Sequence, residues 1–421
     1  MKIFNVTHFS CLLILTMTIF FTSSIGAQRI DATQKMRPRK QINSKLSTPE
    51  QKKQIPLYKY FPALCAKLPH VTLTQLPTPI ERLSKLEKII GTKNIFIKRD
   101  DLTSLLFGGN KTRKLEFLLG DALNNDARTI LTRGFAGSNH AATTALHAQQ
   151  LGLQSILCFL DQEPTAYLRR NLLLDLHTQS QFRIYNTPAQ LDADLVAIGR
   201  EHIEECGLSP YYIPSGGSNE VGVIGYINAA LELKEQITQG LLPEPDLIYV
   251  ALGSGGTVAG LLVGLKLAGL KSKIVAIRVD AQSEPDYFLK KIITLCTQAT
   301  EYLTNLDPSF PQVSIAPDDF VINNNFLGDG YAIISEPGAE AVKLLQEQEK
   351  IMIDGTYVGK AFAALLHDLA TQPIKDKVIL FWNTFFSGDL KNITDQVDYH
   401  ALPDRLHGYF ECSLQPLDQG I

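Results

Sequence analysis

The stretch Leu247-Ile248-Tyr249-Val250-Ala251-Leu252-Gly253-Ser254-Gly255-Gly256-Thr257-Val258-Ala259-Gly260 decides the fold. Its apolar opening, without polar alternation, is the pattern of a strand buried on both faces. A glycine-rich turn follows, and a helix is expected over about 258–267. Working outward, the same succession recurs. Strands are expected at 94–98, 129–132, 155–160, 273–279 and 378–382, with helices at 114–123 and 140–150. Apolar strands alternating with helices imply an α/β fold whose parallel sheets are flanked by helices.

Glycines between a strand and a helix let the backbone approach an anion, and the free N–H groups at the helix start bind phosphate. A dinucleotide loop would need glycine where Val258 stands, and a Walker loop would need a Gly-Lys-Ser/Thr that is missing. The plainer reading is a tight strand–helix turn with no ligand. A second segment offers complementary chemistry. Lys98-Arg99-Asp100-Asp101-Leu102-Thr103 leads into Phe107-Gly108-Gly109-Asn110-Lys111-Thr112-Arg113-Lys114 and places Lys111 at a helix start. The helix dipole, Arg113 and Lys114 all favour the neutral amine of Lys111, the form that attacks a carbonyl. Taken alone, Lys111 reads more simply as a solvated lysine. Taken together, an amine and a phosphate cradle match the two ends of pyridoxal 5'-phosphate (PLP), with Lys111 carrying it as a Schiff base. A third segment, Gly137-Ser138-Asn139-His140, lies at a strand–helix junction and serves either as a helix cap or as a substrate carboxylate site.

A net charge of −3 gives no hint of a nucleic-acid partner, so a small molecule is the expected ligand. Lys2, the apolar run 11–21 and Ser23-Ser24-Ile25-Gly26-Ala27 have the layout of a secretory signal peptide, residues 1–27. The expectation is an exported, periplasmic protein with no stable membrane span after cleavage. Residues 28–54, polar and basic, read as a flexible linker. Beyond residue 27 stand Cys65, Cys158, Cys206, Cys296 and Cys412, an odd set without C-x2-C spacing. Neither a disulfide framework nor a metal site is expected from it, and Cys158 reads as a core residue. The segment 398–421 reads only as a surface tail.

The run from Lys98 through Glu116 resembles the signature of the 1-aminocyclopropane-1-carboxylate (ACC) deaminase and D-cysteine desulfhydrase family. So do Asn171-Leu172-Leu173-Leu174-Asp175, Ile213-Pro214-Ser215-Gly216-Gly217-Ser218-Asn219, Gly225-Tyr226-Ile227-Asn228-Ala229 and the Gly253 loop. The likeness spans about 76–390. It implies a two-domain fold-type II PLP enzyme similar to the tryptophan synthase β subunit. The large domain would comprise 55–106 and 223–421, the small one 107–222, and the chain would form a homodimer. The resemblance implies that Lys111 holds PLP and moves the Cα proton. Lys114 and Gly253, Ser254, Gly255, Gly256 and Thr257 would bind its phosphate, and Asn139 its ring hydroxyl. Ser138, Asn139 and His140 would hold the substrate carboxylate. Tyr357 and Tyr331 would face the substrate, and Thr384 would lie near the pyridine nitrogen.

Within this family ACC deaminases carry Glu after the tyrosine and Gln after Ser-Asn, where this chain has Val358 and His140. Both differences resemble the desulfhydrase branch and imply deaminating β-elimination of a small amino acid, D-cysteine foremost. Val358 in place of Thr, and Phe385-Phe386 in place of Gly-Gly, depart from that branch, and two phenyl rings there would narrow the pocket or displace the loop. ACC opening, a sulfo-amino acid lyase, a racemase, a nicotinamide-dependent dehydrogenase and a non-catalytic periplasmic binding relative are the other readings.

Overall fold

The computed structural model describes residues 45–280 and 285–418, all within one compact unit. Its strands are β1 (Ile80–Arg82), β2 (Ile95–Arg99), β3 (Thr129–Phe135), β4 (Gln154–Leu160), β5 (Gln181–Tyr185), β6 (Tyr211–Ile213), β7 (Leu247–Leu252), β8 (Lys273–Arg278), β9 (Phe320–Asn323) and β10 (Ile379–Asn383). Its longer helices are α1 (Asn110–Asn124), α2 (Asn139–Gln150), α3 (Ala166–His177), α4 (Pro188–Cys206), α5 (Glu220–Thr238), α6 (Gly256–Leu267), α7 (Pro285–Leu306), α8 (Glu336–Glu349) and α9 (Val358–Thr371).

Two sheets result. One has the order β1-β2-β10-β7-β8-β9, parallel except for β1; the other, β5-β4-β3-β6, is parallel throughout. Alternation along β7 shows why both faces are covered. Ile248, Val250 and Leu252 enter a core shared with α1, α5, α6 and α7, while Tyr249 enters one shared with α8 and α9. In the smaller sheet Leu157 and Phe159 pack toward α2 and α3, and Ile156 and Cys158 toward α4. Cys158 is thus the core residue expected, and the five cysteines in the described residues are free thiols. No helix among the described residues is long and apolar enough to cross a membrane.

Four sequence expectations change. The linker ends earlier than residue 54: Thr48 caps the helical turn Pro49–Lys52, and the Lys52 ammonium donates to the carbonyls of Cys65 and Leu68, both at 2.8 Å. A basic side chain joins the fold here because two carbonyls receive it. Residues 1–44, with the expected signal peptide, lie outside the described residues. Helix α1, expected in the small domain, inserts Leu115, Phe117, Leu118 and Leu119 into the core of the larger sheet. The tail is a strap rather than a surface extension. Leu402 and Leu406 are buried against Leu168 and Leu172, Arg169 Nε donates to the Tyr409 carbonyl at 2.8 Å, and the Ala166 N–H donates to Asp418 at 2.6 Å. Helix α6 begins at Gly256, two residues before the expected start.

Candidate active site

The parallel strands end around one cavity of about 320 Å³, the size of pockets that hold small ligands and the usual place for a ligand in such sheets. Gly253 follows β7, Thr384 follows β10, Arg133-Gly134-Phe135 closes β3, and Lys111 enters from the first turn of α1.

Gly109, N-terminal to α1, has φ +84°, and a Cβ on it would stand 2.8 Å from the Thr384 carbonyl. That close approach lets the Asn110 N–H donate to the same carbonyl at 3.1 Å. Asn110 then bridges the two chemical segments: its Oδ1 accepts from Lys111 Nζ at 2.8 Å, and its Nδ2 donates to Thr257 Oγ1 at 3.0 Å. Burial lowers the Lys111 amine to about 8, opposed by the charge of Asp354. The expected role of Arg113 in that shift is corrected. Arg113 points the other way, into a buried cluster with Asp100 (2.7 Å) and Glu232 (3.0 Å), and its charge is neutralised there.

Lys114 Nζ donates to the Gly216 carbonyl at 3.1 Å and to Ser218 Oγ at 3.3 Å. Ser218 Oγ also lies 2.7 Å from Ser254 Oγ and accepts from the Gly256 N–H at 3.2 Å. A Cβ at Gly256 would meet Ser218 Oγ at 2.5 Å and Lys114 Nζ at 3.0 Å. Only glycine admits the ammonium and hydroxyl so close to the start of α6. Burial, with the charges of Lys111 and Lys291, pushes the Lys114 amine well below its ordinary range. An anion there would relieve a crowd of cations. Ser218 sat in a quoted motif without a role, because its meeting with the Gly253 loop is a tertiary contact that no local spacing announces.

Ser138, Asn139 and His140 form the opposite wall. Ser138 caps α2, its Oγ accepting from the Ala141 N–H at 3.2 Å, and it also lines the cavity. Asn139 Oδ1 accepts from Asn171 Nδ2 at 2.9 Å. His140 differs from expectation. Its Nε2 lies 3.0 Å from Thr132 Oγ1 and its Nδ1 3.4 Å from Thr144 Oγ1, while Thr132 gives its own proton to the Ile213 carbonyl at 2.8 Å. This network assigns the N–H to Nε2, and burial holds the ring neutral. The His140 ring is cavity wall with its N–H taken by Thr132, so a substrate carboxylate could meet His140 only through its backbone N–H.

Tyr357 and Tyr331 meet hydroxyl to hydroxyl, and Tyr331 stacks on Phe135 with centroids 4.5 Å apart. Burial raises both phenols, so both stay protonated at neutral pH. Asp354 receives the backbone N–H groups of Tyr357 (2.8 Å) and Val358 (3.0 Å), which fixes the start of α9. Phe385 and Phe386 both pack on aromatic neighbours. Phe385 packs on Tyr167 (5.0 Å) and Phe386 on Phe107 (4.8 Å), and both rings form cavity wall.

These residues fit PLP: the Lys111 amine and the Ser254, Gly255 and Thr257 edge of the anion nest line one cavity, tied together by Asn110. The family described as "Pyridoxal-phosphate dependent enzyme" matches residues 71–384. The chain is 38% identical to the D-cysteine desulfhydrase of Klebsiella pneumoniae (strain 342) over 327 residues, covering 76% of this chain and 94% of that one. It is 36% identical to a putative ACC deaminase of Pyrococcus abyssi over 326 residues, 76% of this chain and 93% of the other. The crystal structure of an ACC deaminase homologue superposes with a TM-score of 0.67 at 34% identity, covering 83% of this chain and 99% of that one.

Proposed function

This chain belongs to the pyridoxal-phosphate dependent enzyme family, and from that premise we propose that it is an amino-acid lyase that takes D-cysteine to pyruvate, sulfide and ammonia. The observation that carries the reading is a cavity lined by Lys111 and by Ser254, Gly255 and Thr257 of the glycine loop, with Lys114 and Ser218 bonded to that loop through Ser254 and the Gly256 N–H. PLP, when bound, supplies an aldehyde for covalent attachment and a ring that accepts electron density from Cα.

The chain's own residues do the rest. Lys114, Ser218 and the α6 N–H groups hold the phosphate. Asn139 and Ser138 orient the substrate carboxylate and the ring hydroxyl. Lys111 Nζ, lowered by burial to about 8, takes the Cα proton in its neutral form. The neutral hydroxyl of Tyr357 or Tyr331 gives a proton to the departing thiolate. Water consumed in the last step balances the products: one cysteine and one water yield one pyruvate, one sulfide and one ammonia.

Val358 is buried and offers no carboxylate at the position where the resemblance places a Glu for ACC opening. The relatives named ACC deaminase nevertheless keep that reaction as the second reading. Purified protein given D-cysteine should release sulfide and pyruvate in equal amounts; no sulfide above a Lys111→Ala control would overturn the proposal. Ammonia and 2-oxobutyrate from ACC would establish the second reading instead. Export to the periplasm and a homodimer belong to the same proposal, checked by fractionating cells and by light scattering.

A further inference from the structure

Arg170, on α3, lies behind the cavity wall in an environment that the reaction scheme does not use. Three rings surround its guanidinium: Phe107 and Tyr167 at 5.3 Å and Phe385 at 5.8 Å. Among the described residues no carboxylate lies in ion-pair contact with it. Its polar edge meets only amide oxygens. Nε and Nη2 donate to Asn171 Oδ1 at 3.3 and 3.2 Å, and Nη2 reaches Asn139 Oδ1 at 3.5 Å. Asn171 in turn donates from Nδ2 to Asn139 Oδ1 and to the Gly137 carbonyl, both at 2.9 Å. The oxygen of Asn139 is therefore fully engaged from behind.

We propose that Arg170 is a positioning residue: with Asn171 it pins the Asn139 carbonyl away from the cavity and so commits the Asn139 amide N–H groups to the cofactor ring oxygen. A free asparagine would present either face of its amide. Here two donors on one side settle which end is which. The guanidinium, partly buried, also places positive charge behind the Asn139 oxygen. The titratable groups facing it are Tyr167, from its own helix, and Asp354, from the loop before α9. Both favour its charged form against burial, which brings it to about 10. Arg170 is therefore a cation throughout the neutral range. Phe385 thus also packs its ring against the cation, at 5.8 Å.

The inference rests on PLP binding but not on which amino acid is consumed, so its test needs no turnover. PLP-loaded wild type, Arg170→Met and Arg170→Lys are titrated by visible absorption. Loss of the charge in Arg170→Met should raise the midpoint of the absorption change by about half a unit or more, since the nearby cation favours the deprotonated form. Arg170→Lys keeps the charge and loses the planar fork, so its midpoint should stay near wild type while PLP affinity falls several-fold. In an Asn139→Ala background Arg170→Lys should weaken PLP no further. An unmoved midpoint in Arg170→Met, or losses that simply add in the double variant, would overturn the assignment. Should Arg170→Met fail to fold, the Arg170→Lys and Asn139→Ala cycle decides alone.

Discussion

Helix α1 presents two groups of cations from one short motif, and they meet opposite fates. Arg113 is 1% exposed and fully paired, with Asp100 and Glu232 on its guanidinium. Asp100 further accepts from Tyr226 and Trp382, each at 2.7 Å, and Glu232 from Lys98 at 2.6 Å. Those cations hold Glu232 down to about 2 despite its burial. Lys111 and Lys114, two positions before and one after Arg113, have only neutral oxygens as hydrogen-bond partners. Paired buried charge locks α1 to β2 and α5. Unpaired buried charge lowers amines and waits for an anion. The difference teaches that counter-ions, more than burial, separate scaffold from chemistry here.

The comparison breaks most sharply at Lys111. Lys111→Ala should cut turnover by at least about 10²- to 10⁴-fold, the range of a lost general base, while the thermal midpoint stays level or rises because a desolvated amine is gone. A parallel loss of stability would mean that Lys111 is scaffold after all. Arg113→Met should do the reverse. Removing one partner of a buried ion cluster strands the Asp100 carboxylate and costs roughly 3–5 kcal/mol, read from urea unfolding, whereas turnover per folded molecule should hardly change. A stable but inactive Arg113→Met protein would place Arg113 in the chemistry.

The two fates were not equally legible. Lys111, Lys114, the Gly253 loop, Tyr331, Tyr357 and Thr384 each sit in a continuous motif, and the fold brings all but Lys114 to the wall of one cavity, with Lys114 reaching the loop through Ser218. The strand–turn–helix reading of 247–267 held because apolar runs and glycines act locally. What failed was direction. Arg113 and Lys111 lie two residues apart, and sequence spacing gave Arg113 an influence on the amine that its partner 119 residues away removes. The His140 ring faces Thr132 and Thr144, which engage its nitrogens. The tail at 399–410 spaces its apolar residues with no sustained helix or strand period, so nothing local announces packing, yet α3 supplies the surface that buries Leu402 and Leu406.

Lys114 tests the anion side of the comparison. Lys114→Met removes a charge-assisted contact worth roughly 1.5–3 kcal/mol, so PLP affinity should fall about 10- to 100-fold. Pyridoxal, which lacks the phosphate, should bind no worse to the variant than to wild type. Equal losses for the two ligands would show that Lys114 does not meet the phosphate. Gly256→Ala should resemble Lys114→Met, because the added methyl would stand where the ammonium and Ser218 Oγ now lie.

The smallest effect is on pH, and it separates burial from neighbouring charge as the cause of Lys111's reactivity. Burial disfavours the ammonium, so the amine is protonated below about 8 and neutral above it. PLP loading onto the apo chain needs the neutral form. Its rate should climb about tenfold per pH unit up to that point and then level off, whereas an unperturbed lysine would keep climbing to beyond 10. Asp354 is the opposing influence, since its charge favours the ammonium. Asp354→Asn should therefore move the break in the profile to lower pH. Arg113→Met should leave the break where it is, because the charge it removes is already cancelled by Asp100 and Glu232. A break that moved with Arg113 and not with Asp354 would reverse the assignment and make the two halves of α1 one electrostatic unit.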